Sequence, residues 1–93
     1  MPGSPWEYNE SIEAYNKSLE IDPKNIGALR GEGYALASLG RYEEALEYYN
    51  RALEIDSRFA RAWQGLGDAL RNLGMYNESI QAYDRAMAEM PQQ

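Results

Sequence analysis

Few side chains in this chain of 93 residues could do chemistry, and the missing types narrow the choice first. There is no histidine and no cysteine. That removes the commonest general base at neutral pH, the commonest metal ligand and any thiolate nucleophile. Carboxylates, arginines and aromatic rings remain. Glu43, Glu44 and Glu47 form a tight acidic cluster. Carboxylates can serve as general acid and base, but only in a shaped pocket that perturbs their pKa values. Here they open a segment with helical spacing, where a solvated acidic face complements the helix N-terminus. No nucleophile–base pair, metal-ligand set or phosphate loop accompanies them. The sequence therefore predicts no enzyme, no metal site and no cofactor. The triplets Asn9-Glu10-Ser11, Asn16-Lys17-Ser18 and Asn77-Glu78-Ser79 match a glycosylation acceptor. Without a secretion signal they are expected to be unused.

The bulk properties restrict the partners. Fifteen acids and nine bases leave a net charge of −6, which argues against nucleic acid and anionic membranes, both of which need a basic surface. The uncharged runs are too short to span a bilayer. The start, "MPGSPWEYNE", has neither a basic leader nor an apolar stretch, so a cytoplasmic location is expected. Residues 1–5 read as a flexible start or expression scar. There is no valine, and alanine, leucine, glutamate and arginine are abundant, which favours helix over strand.

The elements that position these groups come from a repeat. "YNESIEAY" at Tyr8–Tyr15 returns as "YNESIQAY" at Tyr76–Tyr83, 68 residues later. Half of that offset leads to "YEEALEYY" at Tyr42–Tyr49. Tyr15, Tyr49 and Tyr83 are in register, as are Ser18, Ala52 and Ala86, and Leu19, Leu53 and Met87. A second segment occurs twice, "ALRGEGYALASLG" from Ala28 and "AWQGLGDALRNLG" from Ala62. The apolar residues of each segment lie on one helix face: Leu29, Ala35, Leu36 and Leu39 in one, Trp63, Leu66, Leu70 and Leu73 in its counterpart, and Ala45, Leu46, Tyr49, Ala52 and Leu53 in the other type. Gly40 and Gly74 end one helix type, where glycine tolerates positive φ. Ile21-Asp22-Pro23 ends the other, because the residue before proline resists the helical region. The pattern predicts an all-α chain of five helices.

A fixed period of 34 residues with these letters resembles the tetratricopeptide repeat, TPR. Trp63, Leu66 and Gly67 read W-x2-L-G, and Leu70, Tyr76, Ser79, Tyr83, Ala86 and Pro91 follow in order. The middle repeat fits through Leu29, Gly33, Leu36, Tyr42, Ala45, Tyr49 and Ala52, and departs at Glu32, where an aliphatic residue is usual. Residues 6–25 match only a second half. The resemblance implies a right-handed superhelix, an α-solenoid of antiparallel helix pairs. Its units would be a half repeat at 6–25 and repeats at 26–59 and 60–93. The first helix of each pair, type A, would line a concave groove, and the second, type B, would lie outside. On this reading the tyrosines fill gaps between helices, and the small residues let helices approach.

Carried over from the family, the inward positions are Gly27, Arg30, Gly31, Tyr34, Ala37 and Ser38, then Arg61, Gln64, Gly65, Asp68, Arg71 and Asn72. Three are cations and one is an anion, so an acidic chain would hold a mildly basic groove. The expected function is a protein-interaction scaffold that takes a protein or peptide segment, acidic or C-terminal, which arginine grips bidentately. Co-chaperones that hold heat-shock chaperone tails use a lysine and two asparagines on the first two A helices, with basic residues on a third. Here Arg30 stands at the lysine position, Tyr34 and Gly65 replace the asparagines, and only two A helices are present. That argues against a clamp of that kind.

The alternative is a self-associating module. Solenoid ends normally carry a polar cap. Trp6 at one end, and Ile80, Tyr83 and Met87 at the other, are expected to leave apolar atoms uncovered. Dimerisation or helix swapping would cover them, and so would further repeats if the chain is part of a longer array.

Overall fold

The structure, a computed structural model, describes residues 5–90. The five helices are α1 (Pro5–Ile21), α2 (Ile26–Ser38), α3 (Tyr42–Ile55), α4 (Ala60–Asn72) and α5 (Tyr76–Glu89). No strand occurs among the described residues. Pro91 and most of the 1–5 segment lie outside them.

The turns between helices follow from single residues. Gly40 and Gly74 both adopt φ of 81°, the left-handed region that a side chain resists. Each completes a paired C-terminal cap. Gly40 N–H donates to Ala37 O at 2.9 Å and Arg41 N–H to Leu36 O at 2.9 Å. Gly74 and Met75 repeat this on Arg71 O and Leu70 O at 3.0 and 2.9 Å. The other connection turns on Asp22 and Asp56, whose carboxylates accept from the amides of Lys24 and Arg58 at 3.1 and 3.0 Å. These bonds hold the chain in a turn just past each B helix. Asn25 then caps α2 by accepting from Ala28 N–H at 3.1 Å. Trp6 falls in the register of Gly40 and Gly74, yet it is helical. Here α1 continues one turn further toward the N-terminus than α3 and α5 do.

Each helix packs on its sequence neighbours, and α2 also meets α4. No contact of that kind joins α1, α3 and α5 to one another. So α2 and α4 form the inner wall and the three B helices stand outside. The core between them is Leu29, Leu36, Leu53, Leu66, Leu70 and Tyr49, with Ala45, Ala52, Ala62 and Ala82 at the close approaches.

Tyr49 shows why glycine recurs on the A helices. Its ring lies between Gly33 of α2 and Gly65 of α4. A Cβ added at either would stand 2.9 Å or 2.4 Å from it. Tyr15 meets Gly31 in the same way, and Tyr83 meets Gly67. Each A helix therefore offers one glycine to the tyrosine before it and one to the tyrosine after it. Among the described residues only Tyr49 has both seats filled, and it is 2% exposed.

Glu32, the departure from the aliphatic pattern, is buried. With its amide oriented to satisfy both groups, Asn16 of α1 donates to both Glu32 carboxylate oxygens at 2.8 Å. Desolvation raises the Glu32 pKa above the ordinary carboxylate value, and the Tyr48 hydrogen bond and the charges of Arg51 and Arg41 offset this in part. A buried carboxylate is thus shared by α1, α2 and α3, where Leu66 makes an apolar contact one repeat later.

Candidate functional site: a groove lined by the two A helices

Positions spaced by three and four residues on α2 and α4 turn away from the B helices. They line one cavity of about 350 Å³. It gathers Arg30, Tyr34, Ala37 and Ser38 from α2, and Arg61, Gln64, Gly65, Asp68, Arg71 and Asn72 from α4. Two of the residues expected there stand elsewhere. Gly31 is buried under Tyr15, and Gly27 is exposed near the start of α2. One residue that the sequence reading left out is present: Tyr49 reaches the cavity from behind. Its register with Tyr15 and Tyr83 marked it only as packing.

The three arginines are in different states. Arg71 Nη2 lies 3.9 Å from Asp68 Oδ1. The Arg30 guanidinium stacks over the Tyr34 ring, 5.6 Å from its centroid. The Arg61 side chain has no ion pair or hydrogen bond among the described residues. Asp68, the one groove carboxylate, is committed to its own protein. The Tyr83 hydroxyl donates to Asp68 Oδ1, and Arg71 lies beside it. The Asp68 charge is therefore partly balanced within the protein. Asn72 donates to the Asp68 backbone carbonyl at 2.8 Å. Tyr34 is 52% exposed and has no aromatic counterpart, because Asp68 holds the matching place.

Burial pushes the Tyr49 hydroxyl up to about 12, with the Arg30 charge opposing that rise and Asp68 adding to it. The Tyr83 hydroxyl is also raised, by burial first and then by its bond to Asp68. Both phenols are neutral at physiological pH, and the Tyr83 hydroxyl acts as a donor to Asp68. The acidic cluster of α3 stays at the surface. Glu44 accepts two bonds from Arg41 at 2.7 and 2.8 Å, which lower its pKa, and Glu43 and Glu47 are exposed. No group of acids able to hold a metal occurs among the described residues. No described helix is long and apolar enough to cross a membrane.

The end residues divide. Trp6, Ile80 and Met87 are 61%, 57% and 63% exposed. Tyr83 is a correction. It is half-buried, seated on Gly67 and bonded to Asp68, so it belongs to the α4–α5 contact and the groove margin rather than to an open end. Tyr76 takes its place on the exposed stripe of α5.

A stack of helix pairs with a groove on its A helices defines a helical-repeat solenoid. Family models for the TPR repeat match residues 33–74, and models for the tetratricopeptide repeat match residues 14–47 and 60–93. The chain belongs to the tetratricopeptide repeat family, and its fold is a right-handed superhelix of antiparallel helix pairs. Among solved structures it is similar to the second TPR of Spaghetti (RPAP3) bound to the HSP90 peptide SRMEEVD. The TM-score is 0.86 at 25% identity, over 89% of this chain and 77% of that one. The first TPR of the same protein, bound to the same peptide, gives 0.89 at 24% identity, over 94% and 69%. A crystal structure of MamA gives 0.83 at 24% identity over 89% of this chain, which spans about half of that one at 48%. A comparison with curated proteins found no match.

Proposed function

We propose that this chain is a protein-interaction module, without catalytic activity, whose groove accepts an extended peptide carrying an acidic residue or a free C-terminal carboxylate. One observation carries the reading: Arg61 and Arg30 share a cavity in which the one carboxylate is already bonded. A guest carboxylate would meet Arg61 as a fork of parallel N–H donors, a geometry that a lysine cannot reproduce. Tyr34 supplies flat, exposed surface beside it, and Tyr49 closes the cavity from behind. The similar RPAP3 domain, whose bound peptide ends in an acidic segment, supports a peptide partner. Tyr34 and Gly65, in the places where a chaperone-tail clamp has asparagines, favour a different mode of holding it. The working unit is two repeats, 26–59 and 60–93, preceded by the half repeat 6–25, in a cytoplasmic setting.

Calorimetric titration of an acidic decapeptide with a free C-terminus tests this reading. Arg61→Ala is expected to weaken binding by about tenfold, and Arg30→Ala by less, since a charge-assisted hydrogen bond contributes about 1.5–3 kcal/mol. Unchanged affinity in both variants would refute it.

The exposed stripe of Tyr76, Ile80 and Met87 on α5 supports a second reading, self-association. In α3, which packs on α4, the matching residues Tyr42 and Leu46 are half-buried and Leu53 is buried. Sedimentation equilibrium at high concentration decides: a strict monomer removes this reading.

A further inference from the structure

Leu66 and Trp63 project from the face of α4 opposite Asp68 and Arg61, since two residues along a helix turn the side chain by about 200°. There, between α4 and α5, lies a second open cavity of about 490 Å³. Its floor is Trp63, Leu66 and Ala82, and its rim includes Glu78, Asp84 and Arg85. The preceding helix pair shows why it is empty. Tyr48 stands in the register of Ala82, and its half-buried ring packs against the core there. Arg51, in the register of Arg85, lies over that ring at 5.2 Å. In the last pair the ring is missing. Arg85 instead lies over Trp63 at 4.6 Å. Glu32, which bonds the Tyr48 hydroxyl, is replaced by Leu66, so the vacant place suits a ring with no hydroxyl.

The rim adds a charge preference. Glu78 and Asp84 take part in none of the ion pairs among the described residues. They belong to an outer layer, α1, α3 and α5, that carries eleven carboxylates against three cations. The groove on the other side is cationic. The two faces of this module therefore select opposite charges.

We infer that the α4–α5 cavity is a second docking site, for a partner segment that inserts a phenylalanine where Tyr48 stands one repeat earlier and places an adjacent lysine or arginine against Glu78 and Asp84. The ring would lie on Leu66 and Ala82 with Arg85 above it, the stacking already made by Arg51 and Tyr48. The flanking cation would meet carboxylates that have no partner of their own.

The test is a titration of 15N-labelled protein with an amidated Gly-Lys-Phe-Lys-Gly peptide, read at the Trp63 indole N–H and the Ala82 amide. Trp6→Phe assigns the indole signal. The expected result is saturable shifts at both probes, with Arg61 and Tyr34 undisturbed. Replacing the peptide's phenylalanine by alanine, or its lysines by glutamates, should weaken binding at least tenfold. Ala82→Tyr should fill the cavity and abolish the shifts. If that variant does not fold by circular dichroism, Glu78→Lys with Asp84→Lys provides the second test, and the preference for lysine should disappear. Shifts that survive Ala82→Tyr, or equal binding of the alanine peptide, would overturn the inference. So would signals mapping to the Arg61 groove. Concentration-dependent shifts at Ala82 without peptide would assign the cavity to a second copy and overturn it equally.

Discussion

Replacing Gly65 with alanine asks whether the tyrosine–glycine seats hold the helix stack together. An alanine Cβ at this position would stand 2.4 Å from Tyr49 Cζ and 2.5 Å from Cε1, well inside van der Waals contact. Tyr49 cannot retreat, because a Cβ on the opposite side, at Gly33, would already be 2.9 Å away. Two terms oppose each other. Alanine is favoured over glycine inside a helix by about 0.8–1.0 kcal/mol. Overpacking a filled core costs about 1–3 kcal/mol and sometimes more. With the ring locked, the upper part of that range applies, and Gly65→Ala should destabilise by about 1–2 kcal/mol net. In a chain of this length each kcal/mol lowers Tm by roughly 4–8 °C. Gly31→Ala is the control, since its Cβ would also come within 2.4 Å of a ring, that of Tyr15. Tyr15 is half-buried at the outer edge of the stack and can swing aside, so the net change should be near zero. Gly27→Ala, with its nearest neighbour at 3.4 Å, should be neutral or stabilising. Thermal and urea unfolding followed by circular dichroism give all three values. A Gly65→Ala variant as stable as the parent would refute the seat argument, and so would a Gly31→Ala variant equally damaged.

Tyr49 also predicts an alkaline limit. Its hydroxyl is raised to about 12 from 10.0 in the unfolded chain, so its contribution is fully present below pH 10 and is lost as pH rises toward 12. The full loss is about 3 kcal/mol, and Tyr49→Phe should remove that part of the pH dependence when unfolding is compared at pH 9 and pH 12. Glu32 has the same sign at the acid end. Because burial raises its pKa, its contribution is greatest below pH 4.5 and falls as pH rises and the carboxylate ionises. Glu32→Gln should therefore raise Tm at pH 7, with the gain vanishing near pH 4 in a pH series of melting curves. Ser79 donates to Gly67 O at 2.7 Å in a buried place where Ala45 does without the bond. Ser79→Ala should cost about 1 kcal/mol in urea unfolding, a neutral hydrogen bond and no more.

Much of this architecture was legible because each repeat states it again. Gly40 and Gly74 gave the turns by a backbone requirement, and Tyr15, Tyr49 and Tyr83 marked the helix contacts by their register. Ten of the twelve inward positions line one cavity, since helical spacing fixes direction once the wall is known. What the letters did not reveal depends on contacts between repeats. Gly31 looked like a groove residue, but its empty side chain is the seat for Tyr15. Tyr83 looked like an open end, but Gly67 and Asp68 hold it. Asp68 counted as a free anion until Tyr83 and Arg71 were found on it. Glu32 is the clearest case: its neighbours Asn16 and Tyr48 lie on two other helices, and no local pattern announces them. The α4–α5 cavity likewise exists only as a difference between Tyr48 and Ala82, visible once both pairs are superposed in register.

The measurement that bears most directly on the account is a 15N chemical-shift map of the protein with a saturating acidic decapeptide that has a free C-terminus. The largest shifts are predicted at Arg61, Gln64 and Tyr34, with Arg30 following and α5 beyond Tyr83 unmoved. Shifts confined to the outer faces of α3 and α5, or no saturable shifts at all, would contradict a carboxylate-binding groove.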